Sequence, residues 1–117
     1  MSAGLYTLTI EQGATLNLVL TYKDSSGNLV NLTGYTARMS LRATFDAAAA
    51  ILSLTTENSR ISLGGAAGTI TLTISATDTA ALTAPQSGVY DLELVSGSAV
   101  VTRLIQGTFT VTPEATK

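Results

Sequence analysis

The chain has 117 residues, a net charge of −2 and 12% charged residues. It is long enough for one domain over 1–117, and at 45% hydrophobic it can bury a core, which excludes a disordered chain or a linker. Cysteine and histidine are both absent. That excludes disulfides, thiol nucleophiles, zinc sites built on these residues and the commonest general base.

Met1-Ser2-Ala3-Gly4 carries no basic region followed by an apolar stretch, so no secretory leader is expected. No apolar run reaches the roughly 18 residues of a membrane span, and the interior of the cell is the expected site of synthesis. Charge is sparse against the roughly 25% of an ordinary domain. A threonine-rich β surface accounts for this by itself; a surface partly covered by other subunits does so too, because interface cores are depleted of charge. The balance of charge offers no footprint for nucleic acid or anionic lipid.

Apolar and polar residues alternate with period two, interrupted by turn residues. Leu5 to Ile10 reads as a first strand with Tyr6, Leu8 and Ile10 on one face, and Glu11-Gln12-Gly13 breaks it. Thr15 to Tyr22 follows, with Leu16, Leu18, Leu20 and Tyr22 inward and Asn17, Val19 and Thr21 outward. Asp24-Ser25-Ser26-Gly27-Asn28 is a hairpin-type turn. A short extended piece, Leu29 to Leu32, leads through Thr33-Gly34 to a strand over Tyr35 to Arg42 with Tyr35, Ala37, Met39 and Leu41 inward.

Ala43 to Ala50 contains an alanine run compatible with a helical turn, too short to be stable alone. Strands are expected over Ile51 to Thr55 and Arg60 to Leu63, ending at Gly64-Gly65. Thr69 to Ile74 is a half-buried strand. Ser75 and Asp78 resemble a capping box for a helical turn that Pro85 ends. Val89 to Val95 places Tyr90, Leu92 and Leu94 inward and Asp91 and Glu93 outward. Ser96-Gly97-Ser98 turns into Ala99 to Ile105, and Gly107 allows a bend or bulge before Thr108 to Thr112, where Phe109 and Val111 are buried. This gives about eight short strands, and two packed sheets in an immunoglobulin-like antiparallel sandwich bury one face of each most economically. A small barrel or jelly roll is the alternative.

The acids Asp91 and Glu93 share one strand face. As a pair they could serve glycoside hydrolysis or bind a cation. The plainer expectation is an exposed face paired across strands with Arg103 or Arg38. Asp24 to Asn28 alternates oxygen-bearing residues as a calcium loop does, but is too short and lacks the later bidentate acid. Gly64-Gly65-Ala66-Ala67-Gly68 precedes a strand, whereas phosphate-cradling loops follow one and open a helix. Arg38, Arg42, Arg60 and Arg103 form no basic run. With 5% aromatics and no tryptophan, Tyr6, Tyr22, Tyr35 and Tyr90 are better placed as core residues than as a stacking platform. No catalytic, cofactor or metal residues are expected, and the chain is read as a non-enzyme.

Three stretches carry a resemblance: Tyr6-Thr7-Leu8-Thr9-Ile10-Glu11-Gln12-Gly13-Ala14-Thr15; Asp24-Ser25-Ser26-Gly27 followed by Asn31-Leu32-Thr33-Gly34-Tyr35-Thr36-Ala37-Arg38-Met39; and Tyr90-Asp91-Leu92-Glu93-Leu94 with Arg103-Leu104-Ile105-Gln106-Gly107. In this order they resemble small virion structural proteins of tailed bacteriophages and prophages. They are also similar to the immunoglobulin-like N-terminal domain of phage baseplate upper proteins. The resemblance implies a virion part in the tail or baseplate, assembled in the bacterial host cytoplasm. Its partners would be other virion proteins and further copies of itself as a homo-oligomer, with no nucleic acid or membrane. A capsid decoration (cement) protein and a carbohydrate- or receptor-binding module are the alternatives.

Overall fold

The period-two alternation becomes nine strands in two sheets in a computed structural model, which describes residues 4–115. The opening Met1-Ser2-Ala3 lies outside the described residues. In chain order the strands are β1 (Gly4–Leu5), β2 (Leu8–Glu11), β3 (Leu16–Thr21), β4 (Thr36–Arg42), β5 (Leu52–Thr55), β6 (Ile61–Leu63), β7 (Thr69–Ile74), β8 (Gln86–Val95) and β9 (Val101–Thr112). A five-residue helix, α1 (Ala76–Ala80), joins β7 to β8.

The larger sheet runs β1-β9-β8-β4-β5, with β2 also on β9, and the smaller runs β3-β7-β6. Every pairing is antiparallel except those of β1 and β2, which run parallel to β9 as two pieces of one edge strand. Among the described residues no ladder joins the two sheets. The fold is therefore an open sandwich with the strand order of an immunoglobulin-like domain, not a closed barrel.

The core lies between the sheets. Leu41 and Leu54, Leu92 and Leu94, Phe109 and Val111 from the larger sheet meet Ile70 and Ile74 from the smaller, and all are fully buried. Their removal from water drives the sandwich together, since each buried aliphatic side chain contributes about 1.5–3 kcal/mol.

Three local readings of the sequence are corrected. Leu5 to Ile10 is not one strand: the chain breaks at Tyr6-Thr7, Tyr6 is 42% exposed, and only Leu8 and Ile10 turn inward. The alanine run forms no helix. It is a series of turns and bends, held by the Arg42 guanidinium donating to the Ala47 carbonyl at 2.8 Å. The extended piece Leu29 to Leu32 joins neither sheet: Leu29 bridges Lys23, and the Val30 and Leu32 amides donate to the Tyr22 and Gly65 carbonyls.

The last two expected strands are one. β9 runs unbroken through Gly107, and the bulge lies earlier, where Leu104 is inserted opposite Leu92 and Glu93. Gly107 has a different task. Its Cα faces the backbone of Tyr6 so closely that a Cβ would collide with the Tyr6 carbonyl. That carbonyl accepts the Tyr90 hydroxyl at 2.6 Å, which fixes the break between β1 and β2. Burial, with a smaller effect of the neighbouring Tyr6, pushes the Tyr90 phenol up to about 12.

Candidate functional site

Among the described residues the structure offers two outer sheet faces, a groove beside Gln12, a small hollow beside Asp91 and an open strand edge. On the outside of the larger sheet, cross-strand register places Arg38 opposite Glu93, and Glu93 opposite Arg103. Arg38 Nε lies 2.8 Å from the Glu93 carboxylate, and Arg103 Nε lies 3.4 Å from Asp91. Asp91 and Glu93 are thus neutralised by arginines on the neighbouring strands, as the cross-strand expectation had it. Asp91 lines a small hollow of about 70 Å³ with Ser40, Arg42, Phe45, Val89 and Tyr90, and Glu93 is not part of it, so the two acids do not face each other across a cleft.

The other charged and glycine-rich candidates are occupied in the fold. Asp24 Oδ1 accepts from the Ser26 and Asn28 amides at 2.9 and 3.0 Å, which makes Asp24 to Asn28 a self-contained turn. Gly64 to Gly68 forms a 3-10 turn (Gly65–Ala67) between β6 and β7, with its end closed by Gly68 at φ 68°. Arg60 pairs with Asp78 at 2.8 Å and ties α1 to the start of β6. The hydrogen bond from Arg60 holds the Asp78 carboxyl below its usual range, against a burial effect of opposite sign and with help from the Arg60 charge and Ser75. Ser75 accepts from the Asp78 amide at 3.1 Å, so the helix cap is real, but the Asp78 side chain turns to Arg60 and does not close a box. Of the tyrosines, Tyr90 is buried, Tyr22 and Tyr35 are half-buried and Tyr6 is exposed.

A polar clasp that the sequence reading missed fastens the β2–β3 turn. Thr79, buried on α1, accepts from the Gly13 amide at 3.0 Å, and the Ala14 carbonyl lies 2.9 Å from its hydroxyl. Gln12 donates to the Leu82 carbonyl at 2.9 Å and accepts from the Glu114 amide at 3.3 Å. The Glu-Gln-Gly segment thus has a structural reason: Gly13 at φ 84° also sits under the Glu114 carboxylate, where a Cβ would collide. Beside it lies a groove of about 270 Å³ lined by Glu11, Gln12, Pro113 and Glu114 among others, with no aromatic wall. Among the described residues no three Asp or Glu side chains come together as a metal site would need.

The outside of the smaller sheet differs in kind. It presents Asn17, Val19 and Thr21 from β3, Thr69, Thr71 and Thr73 from β7, and Ser62 from β6. None of these three strands contains a charged residue, and Val19, 57% exposed, lies at the middle of β3. On the inward side of β3, Leu16, Leu18 and Leu20 are only half-buried.

β3 is also the edge of its sheet, since among the described residues β7 is its only partner. Tyr22 donates to the Gly68 carbonyl and Gly64 to the Thr69 carbonyl. In an antiparallel ladder this parity turns the even-numbered residues of β3 toward β7. The N–H and C=O groups of Asn17, Val19 and Thr21 then point out of the edge.

Compared with known proteins, the chain matches no family model and no curated protein. Among the described residues no helix is long and apolar enough to cross a membrane.

Proposed function

We propose that the chain is a structural component of a tailed-bacteriophage particle, present in multiple copies in the tail or baseplate and acting without catalysis. It works by surface complementarity with neighbouring virion proteins. The observation that carries the reading is the division of the surface. Arg38, Asp91, Glu93 and Arg103 of the larger sheet pair with one another, while the smaller sheet offers an uncharged face and an open edge suited to subunit contact. The resemblance of Tyr6 to Thr15, Asn31 to Met39 and Tyr90 to Gly107 supplies the phage setting.

A carbohydrate- or receptor-binding role is less well supported, because the groove at Gln12 lacks the aromatic wall that sugars stack on and the hollow that Phe45 and Tyr90 line is only about 70 Å³. Mass spectrometry of purified particles tests the reading. Peptides of this chain in stoichiometric amount are expected, and their absence from mature particles would sink it. Density on the head shell in electron microscopy of the same particles would move the role to capsid decoration.

A further inference from the structure

We propose that β3 is a self-association edge: two copies of the chain pair their β3 strands antiparallel across a two-fold axis at Val19, joining their smaller sheets into one continuous sheet. This deepens the assembly reading and takes from it only the biological setting.

Natural sheets protect their edges with charge, proline, bulges, shortness or cover. The other edges here follow that rule. β5 spans Leu52–Thr55 and β6 spans Ile61–Leu63, both short, and the β1–β2 edge is broken at Tyr6-Thr7 and ends in the exposed Glu11. β3 has none of these protections. Its six residues, Leu-Asn-Leu-Val-Leu-Thr, pair with β7 in unbroken register, with no bulge, no charge and no proline.

The register explains why a second copy fits. Antiparallel pairing through the outward-pointing groups requires odd residues to face odd residues, and centring on Val19 uses the strand most fully. Asn17 then meets Thr21 of the other copy, Val19 meets its own counterpart, and on the core side Leu18 meets Leu20. The half-buried leucines of each copy cover those of the other. The flanking charges agree as well. Antiparallel pairing sets the end of β3 followed by Lys23 against the end preceded by Glu11, both exposed and of opposite sign. Among the described residues, Asp24 beside Lys23 is engaged by two turn amides, and Glu114, which lies over Gly13 beside Glu11, adds to the acidic end that Lys23 meets. A ladder of six residues is about 20 Å long, a small interface of the weak, reversible class.

The test is sedimentation equilibrium of the whole chain with hydrogen exchange across a concentration series. The wild type should dimerise. The Asn17, Val19 and Thr21 amides should slow about tenfold or more as the dimer forms, while the Leu18 and Leu20 amides, bonded to β7 in either state, serve as the control. Val19→Lys places two like charges at the axis and should weaken the dimer about tenfold or more. Its circular dichroism should not change, because Val19 is exposed. A chain that stays monomeric at millimolar concentration overturns the proposal. So does a dimer indifferent to Val19→Lys, or one in which the odd amides remain fast, since that dimer packs through faces. A monomer found in virions leaves the assembly reading standing, and a β3 dimer absent from virions does the reverse.

Discussion

The two sheets obey the same alternation but present opposite exteriors. Outside the larger sheet, arginine and carboxylate alternate across strands, with Arg38 on Glu93 and Arg103 on Asp91. Outside the smaller sheet, threonine, serine and asparagine surround one valine, and no charge appears in any strand. Inside the smaller sheet the difference is confined to its edge strand: Ile70, Leu72 and Ile74 of β7 are as buried as Leu92 and Leu94 of β8, whereas Leu16, Leu18 and Leu20 of β3 are not. The charged pairs of the larger sheet close on one another, whereas the edge of the smaller sheet stays open; exposed apolar side chains occur on both, Leu5 and Val101 on the larger and Val19 on the smaller. Sparse overall charge is therefore less informative than where the charges fall.

The comparison can be broken or sharpened by substitution, and the largest effect should come from the larger sheet. Leu92→Ala removes a fully buried side chain and should lower unfolding free energy by about 3 kcal/mol in urea titration. Leu18→Ala in β3 should cost the monomer about 1 kcal/mol, because part of that side chain is already in water. Equal losses would mean that β3 is as well packed as β8, and the contrast would fail.

Gly107→Ala follows in size. Its Cβ must displace the Tyr6 carbonyl, so a loss of about 2 kcal/mol and a loosened β1 are expected by denaturation and proteolysis. Tyr90→Phe leaves that carbonyl unpaired and should cost about 1 kcal/mol. A pH signature accompanies it. The folded phenol is raised to about 12 from 10.0, so the neutral form is favoured in the fold. Its contribution is fully present below about pH 10 and is lost as pH rises towards 12. Tyr90→Phe should flatten that alkaline slope in thermal melts.

The smallest effect belongs to the charged face. Arg38→Ala removes an exposed ion pair and should change stability by less than about 0.5 kcal/mol. A larger loss would show that the ladder holds the sheet together instead of only solvating it.

Much of this was legible in the sequence where side-chain period and turn chemistry act locally. Tyr35 to Arg42, Thr69 to Ile74 and Val89 to Val95 each fall within one residue or a few of β4, β7 and β8, with the expected faces inward. The hairpin turn at Asp24 and the cap at Ser75 follow from side chains bonding their own backbone. The break at Tyr6-Thr7 was not legible, because it depends on Gly107 and Tyr90, which are distant in the chain. The Gln12–Thr79 clasp was hidden for the same reason. Val19 was readable as an outward apolar residue between Asn17 and Thr21. Nothing local reveals that its strand lies at an edge, since edge position is a property of the sheet order.

The contrast between the two exteriors is tested most directly by hydroxyl-radical footprinting with mass spectrometry, comparing the dilute chain with its assembled form. Protection at Val19 and at Leu16, Leu18 and Leu20, with the surroundings of Arg38, Glu93 and Arg103 as reactive as before, is the predicted result. Protection of the charged face with Val19 still fully reactive would contradict the account.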